Sequence, residues 1–282
     1  MSSLEDISDY YNQTFTHYLT WWNLSKSNAL HYGIWHSGTK NFEEALANTN
    51  KLMAQLANIE RNSKVLDAGC GVGGSSFFLA KEFGCIVEAI TLNEKQVNFG
   101  KEYIQKNKLE PQVCISQQDY CNTNFKDESF DFVWACESSC HAYPKELFYK
   151  EAYRVLKPNG KLVVADYFIT EKGKANKNKY IDKWSELWAI KEFHQYNRVR
   201  EESASQSLNL IFDGNYTKEI MPSAKKMYWA AILGAPFSEG YNLLFGASRF
   251  AKHHYRTGYY QYKALKADQW DYRILVFEKG AL

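Results

Sequence analysis

The chain has 282 residues, 34 Lys and Arg against 32 Asp and Glu, and a formal net charge of +2. A balance this close to neutral gives, taken over the whole chain, no electrostatic case for a nucleic-acid footprint or a polybasic membrane anchor. No apolar run approaches a membrane span, and the opening "MSSLEDISDYYNQTFTHYLT" lacks the basic-then-apolar layout of a secretory leader. The cysteines at 70, 85, 114, 121, 136 and 140 form no C-x-x-C pair and read as reduced thiols of a cytoplasmic protein.

Residues 1–60 read as an N-terminal helical cap. In "NFEEALANTNKLMAQLANI" the apolar positions Phe42, Leu46, Leu52, Leu56 and Ile59 recur near the helical period. From residue 61 onward strands and helices alternate. "SKVLDAG", "CIVEAITL", "QVCISQQD", "FDFVWAC" and "KLVVADYF" read as strands, with helices "GSSFFLAKEF", "NEKQVNFGKEYIQKN" and "ELFYKEAYRVL" between them. "KPNG" stops the last helix as a turn signal. Alternation of this kind predicts an α/β fold, a mostly parallel sheet with helices on both faces. After Phe168 the alternation breaks. Helical insertions are predicted at about 171–208 and 217–266, with "LNLIFDGNY" and "WDYRILVFEKG" as two final strands, seven in all. Tyr, Phe and Trp make up 16% of the chain and crowd its two flanks. They either fill a core or line a pocket.

The segment "VLDAGCGVGGSS" places Gly69, Gly71 and Gly73 after a strand and before a helix, where the backbone turns sharply and a ligand can approach. Gly69, Gly71 and Gly74 also satisfy a dinucleotide fingerprint. Against that reading, Asp67 stands just before the glycines, where a pyrophosphate would be repelled. The second strand, ending "ITLNEKQV", lacks the acidic residue that holds a nicotinamide ribose.

These residues carry a family resemblance. "VLDAGCGVGGSSFFLAKEFGCIVEAITLNEKQV" resembles the S-adenosylmethionine (SAM) site of class I methyltransferases, which have a Rossmann-like fold. "CESSCHAYPKELFYKEAYRVLKPNGKLVVADYF" and the "YY…W…HYGIW" head are similar to the branch holding sterol and tocopherol methyltransferases. The resemblance covers most of residues 10–168 and, more loosely, the tail. It implies SAM as cofactor, S-adenosylhomocysteine as product and a small-molecule acceptor. It places Asp67, Gly69 and Gly71 at the methionine part of SAM, with Glu137 lining the same end. Thr91, Leu92 and Gln96 would lie by ribose and adenine, Asp119 would accept from the adenine amine, and Tyr120 would pack beside it. Thr91 or Leu92 stands where the family commonly has an acidic residue for the ribose hydroxyls.

In that fold "WACESSCHAYPK" falls at the reacting centre. A metal reading is poor, because C-x-x-x-C-H has no second ligand pair at a zinc spacing. No metal is expected. His141 can act as a general base, oriented by Asp166 at the end of the fifth strand, or can simply pack there. Two chemistries fit a largely apolar acceptor. One is O- or N-methylation with His141 as base. The other is C-methylation of an isoprenoid- or sterol-like alkene, whose cation is held by aromatic faces. Tyr11, Trp22, Trp188 and Tyr228 are the expected pocket aromatics. The cap and the insertions are expected to close over the acceptor. A SAM-binding scaffold or sensor, and a protein or RNA methyltransferase, are the rival readings. The sequence sets neither the acceptor nor the oligomeric state.

Overall fold

The computed structural model describes residues 4–21, 28–245 and 248–280, and the side chains of all of these but 16–21 and 245. Its strands are β1 (Lys64–Ala68), β2 (Ile86–Thr91), β3 (Val113–Gln117), β4 (Phe130–Cys136), β5 (Leu156–Ile169), β6 (His194–Gln195), β7 (Leu208–Asn215) and β8 (Trp270–Lys279). Its helices are α1 (Leu4–Trp21), α2 (Phe42–Ala57), α3 (Gly74–Phe83), α4 (Glu94–Asn107), α5 (Lys145–Val155), α6 (Glu171–Ala175), α7 (Tyr180–Leu187), α8 (Val199–Ala204), α9 (Met221–Phe245) and α10 (Arg256–Lys266).

Alternation within the strands builds a sheet buried on both faces. Along β5, Val163, Ala165 and Tyr167 enter one core, while Leu162, Val164 and Phe168 enter the other. In β8, Tyr272, Ile274 and Val276 oppose Leu275 and Phe277 in the same way. Such two-sided burial requires helices on both faces. The strand order is β3-β2-β1-β4-β5-β8-β7. β1 to β5 pair in parallel, and β8 runs antiparallel to both β5 and β7. This path contains the seven strands read from the sequence. The two-residue β6, paired to the end of β5, is an eighth. The order reverses between β1 and β4, which opens a crevice outside the strands' carboxyl ends.

Local signals explain several boundaries. Asn41 caps α2 by accepting from Glu44 N at 2.8 Å. Asn93 caps α4 by accepting from Gln96 N at 3.0 Å. Each satisfies an otherwise orphaned helical donor. The head of the chain differs from a purely helical cap. Residues 28–36 are not helical, and they are tied down by Ile34 N to Ala45 O and by Trp35 N to Glu219 O, both 3.0 Å. α2 belongs to the sheet's own core, where Met53, Ala54 and Ala57 cluster with Val65, Phe77 and Trp134. Helical periodicity finds an amphipathic helix but not the layer it covers. Among the described residues the N-terminal cover is therefore α1 with residues 28–36. α1 spans the crevice. At one side Asn93 Nδ2 donates to Ser8 O at 3.1 Å and Asn12 Oδ1 at 2.9 Å. At the other, Phe250 N donates to Gln13 Oε1 at 2.9 Å, and Tyr10 Oη lies 3.0 Å from His254 Nε2.

Candidate active site

The loop between β1 and α3 passes through left-handed backbone at Gly69 (φ 90°), Gly71 (φ 56°) and Gly73 (φ 96°). Two glycines also permit close approach. A Cβ on Gly69 would stand 2.4 Å from Ser138 Cβ, and one on Gly74 would stand 1.9 Å from Asn28 O. No side chain is accommodated at either point. The loop is thus pressed between the end of β4 and the N-terminal segment. Asp67 begins it, buried, accepting from Ser76 Oγ at 2.6 Å. Burial pushes its carboxyl up to about 7.

The residues after β4 form a tight turn, Ser139–His141, which fixes the carboxyl end of the strand. Ser138 Oγ donates to Ala68 O at 2.5 Å. Asp166 accepts from Ser139 Oγ (2.6 Å) and Cys140 N (2.8 Å) on one oxygen, and from Tyr167 N (2.9 Å) on the other. His194 Nε2 lies 2.9 Å from Ser139 Oγ, and Lys145 Nζ donates to Cys140 O at 2.7 Å. The His141–Asp166 pair read from the sequence does not form. The Asp166 carboxylate is fully buried and holds the backbone of the turn instead. His141 contacts α1, its Nε2 3.2 Å from Tyr11 Oη. Burial and the neighbouring Lys145 ammonium push its imidazole down to about 3.

Glu137 stands at the centre. Its φ of 52° turns the side chain out of the strand line. Oε1 accepts from Tyr32 N at 2.5 Å and Tyr272 Oη at 2.8 Å, and Oε2 accepts from Tyr167 Oη. Burial pushes the carboxyl up to about 8, although the three donors favour its charged form. The donors belong to an aromatic cluster. Tyr32, Tyr167 and Tyr272 pack edge to face at about 5.9–6.0 Å, and Tyr167 meets Trp188 at 5.8 Å.

Two cavities meet at this carboxylate. The first, about 600 Å³ with its mouth included, is lined by the glycine loop, Asp67, Ser75, Cys136, Glu137, His31 and Tyr11. The second, about 860 Å³ on the same basis, is mostly apolar. Tyr32 and Phe42 wall it on one side, Met227 to Gly234 of α9 on another, and Thr257 and Gly258 of α10 on a third. Leu30, Glu137, Tyr167 and Trp188 line both.

Among the residues singled out from the sequence, Asp67, Gly69, Gly71, Glu137, Tyr11 and Trp188 come together around the first cavity. Thr91, Leu92 and Gln96, at the end of β2 and the start of α4, are not among its lining residues. There Thr91 Oγ1 donates to Gln96 Oε1 at 2.6 Å, and Gln96 Nε2 is buried without a hydrogen-bond partner. Asp119 accepts from Cys121 N at 2.8 Å, a local turn contact. Tyr120 donates to Ser138 O at 2.8 Å, and its ring approaches the Gly69 position at 3.3 Å. Tyr228 lines neither cavity. It packs against Tyr259 and Tyr262 on the outer side of α9, because the inward positions of that helix are Met227, Ala230, Ala231 and Gly234. Trp22 lies outside the described residues. Sequence reading missed Tyr32, Tyr167 and Tyr272 as partners of Glu137. They sit in noted aromatic stretches, but only the register of β5 with β8, and the N-terminal segment laid over it, bring them together.

Residues 66–164 match the family model of the methyltransferase domain. The sterol 24-C-methyltransferase of Eremothecium gossypii is 36% identical over 167 residues, covering 59% of this chain and 43% of that protein. This chain spans between 32% and 57% of the length of the curated relatives it matches. Two solved structures share the fold over nearly the whole chain. The cyclopropane synthase MmaA2 from Mycobacterium tuberculosis has a TM-score of 0.83 at 14% identity, covering 98% of each chain. The geranyl diphosphate C-methyltransferase from Streptomyces coelicolor A3(2) has a TM-score of 0.77 at 16% identity, covering 98% of this chain and 97% of that one. Residues 66–164 therefore form a methyltransferase domain, similar in sequence to the sterol 24-C-methyltransferases and set in a fold that the solved C-methyltransferase structure shares.

Proposed function

We propose that the chain methylates an alkene carbon of a small, largely apolar, isoprenoid- or sterol-like acceptor. The observation that carries this reading is the position of Glu137, the one carboxylate lining both cavities among the described residues. The names of the relatives, sterol 24-C-methyltransferase and geranyl diphosphate C-methyltransferase, support the same class of acceptor.

The first cavity suits SAM. The glycine loop leaves backbone room, and Asp67 offers a carboxylate for a cationic group. When bound, SAM supplies an electrophilic methyl group on a sulfonium and leaves as S-adenosylhomocysteine. Leu30 and Trp188, shared by both cavities, exclude water and align the acceptor's double bond with the methyl group. The alkene pair becomes the new carbon–carbon bond, so positive charge develops on the neighbouring acceptor carbon. The Tyr32, Tyr167 and Trp188 faces stabilise that cation by about 0.5–2 kcal/mol each. Glu137 then takes a proton from the adjacent carbon. The freed C–H pair restores a double bond, and Tyr167, Tyr272 and Tyr32 N hold the carboxyl in place.

His141 fits proton removal poorly. It lines neither cavity, and an imidazole at about 3 is a weak acceptor. The test is a panel of prenyl and sterol alkenes beside saturated hydroxyl and amine analogues, with label transfer from methyl-labelled SAM as readout. Carbon-bound label with alkenes alone is the expected result. Label on oxygen or nitrogen with the saturated analogues would overturn the reading.

A further inference from the structure

The helix that walls the second cavity has a second face, and that face is apolar and exposed. Trp229, Leu233, Phe237 and Tyr241 follow one another at intervals of four, which sets them in one stripe along α9. Their relative exposures are 50, 67, 78 and 60%, with Leu243 and Leu244 at 86 and 75% beyond them. Large apolar side chains exposed together on one element mark an interaction surface. Charge is concentrated here too. Residues 222–256 carry five Lys and Arg against the single acid Glu239, a net +4 in a chain whose total is +2. Arg256 pairs with Glu239 at 2.8 Å, and Arg249 with Asp6 at 3.1 Å. Lys225 and Lys252 are exposed and pair with no carboxylate among the described residues. Asn242 Nδ2 donates to Lys252 O at 2.8 Å, which holds the basic segment against the end of the stripe.

We infer that α9 and residues 249–256 dock the protein on the surface of an anionic lipid bilayer, with the stripe lying in the interface. An apolar face flanked by basic residues fits a lipid boundary with anionic headgroups. No helix among the described residues is long and apolar enough to cross a membrane, so α9 lies on the bilayer rather than through it. The geometry gives the docking a purpose that rests on the acceptor reading above. Met227, Ala230, Ala231 and Gly234 of the same helix wall the apolar cavity. One helix therefore separates the lipid from the acceptor site, and an apolar acceptor reaches Glu137 without crossing water. A second copy of the chain is the rival occupant, but a face with net +4 on each side would repel itself.

The full chain is tested by flotation with phosphatidylcholine vesicles, with and without phosphatidylserine, in the absence of any acceptor. Binding is expected only with phosphatidylserine and should fall with salt. Leu233→Asp/Leu243→Asp, both outside the cavity linings, should weaken it by at least about tenfold. Lys225→Glu/Lys252→Glu should abolish the phosphatidylserine preference. SAM affinity, measured on the same samples, should be unchanged in both variants, which shows that they are folded. Failure of the wild type to float, or equal flotation of the Asp variant, overturns the docking. So does a dimer in sedimentation that the Asp variant dissolves. A chain that floats but transfers no methyl group to alkenes breaks the acceptor reading alone.

Discussion

The two cavities share a boundary at Glu137 but are built differently. The first takes most of its lining from two short runs, 28–31 and 67–75, with the end of β4 closing it. Its walls are backbone turns and small polar side chains, pinned by contacts that admit no Cβ. The second is assembled from the N-terminal segment, β4, β5, α9 and α10, elements up to 228 residues apart between Leu30 and Gly258. Its walls are side-chain surfaces. A site made of backbone tolerates little change in the residues that shape it. One made of side-chain surfaces can change its ligand by single substitutions. The comparison predicts that cofactor binding and acceptor choice are separable by mutation, except at the shared carboxylate.

The largest effect is expected there. Glu137→Gln keeps the shape but removes the proton acceptor, and should lower methyl transfer by about 10²–10⁴-fold. In the wild type only the ionised carboxylate accepts a proton, so the rate should rise with pH through a group near 8, and the variant should lose that limb. Stability should move the opposite way. The folded-state value lies above the ordinary 4.5, so the folded chain binds more protons between the two. That contribution is full below pH 4.5 and is lost as pH rises through about 8. Asp67, pushed up to about 7, acts in the same direction. Melting curves between pH 5 and 9 should therefore be flatter for Glu137→Gln than for the wild type. A rate limb near 8 that survives in the variant would assign it to another group.

The acceptor side gives the next effect. Ala230→Phe on the inner face of α9 should raise the acceptor KM by about 10–200-fold, the worth of a misfitted apolar wall, and leave SAM affinity alone. Tyr228→Ala, one turn face away, should change neither by more than about twofold. If the two variants behaved alike, the cavity would not be the acceptor site.

The difference between the cavities also decides what could be read from sequence. "DAGCGVGG" announces its own geometry, because runs of glycine between a strand and a helix have few uses, and Asp67, Gly69 and Gly71 fall where the motif puts them. The succession of strands and helices followed from alternation up to Phe168. Beyond it, the sequence placed a helical insertion at about 217–266 but did not show which face of α9 points inward, since apolar and small residues occur on every side of that helix. Tyr228 was chosen for its ring, and Met227 and Ala230 were passed over. The His141–Asp166 pair was inferred from adjacency of strand ends. Adjacent strand ends bring backbones together, and Asp166 bonded the turn's backbone before it could reach an imidazole. Tyr272 could not have been paired with Glu137 without the antiparallel register of β5 and β8.

On the cofactor side, Gly69→Val tests whether the backbone sets the cavity. A branched residue at φ 90°, with its Cβ forced to within 2.4 Å of Ser138 Cβ, costs about 1–3 kcal/mol in strain unless the loop moves. Movement of the loop spoils the cavity, so SAM affinity should fall by roughly 5–150-fold, the equivalent of that energy. Calorimetry showing unchanged affinity in a folded variant would mean that the loop does not shape the site.

The smallest effect is expected at His141, where the two chemistries part. An imidazole base must be neutral, accessible and able to hold a proton at working pH. His141 is neutral because burial and Lys145 push it down to about 3, but that same shift makes it reluctant to accept a proton. Its Nε2 faces Tyr11 Oη at 3.2 Å, so it is engaged with α1 rather than with either cavity. Removing it should loosen the cover over the first cavity by one hydrogen bond, about 0.5–1.5 kcal/mol, which is at most roughly tenfold in affinity for SAM. kcat with a saturating alkene acceptor should hardly change, and the pH limb near 8 should remain. Tyr11→Phe breaks the same contact from the other side and should match it in size. A double variant no worse than either single would show that the pair acts through that one bond. A loss of 10²-fold or more in kcat for His141→Ala, with Tyr11→Phe unaffected, would return the proton to the imidazole and the chemistry to oxygen or nitrogen.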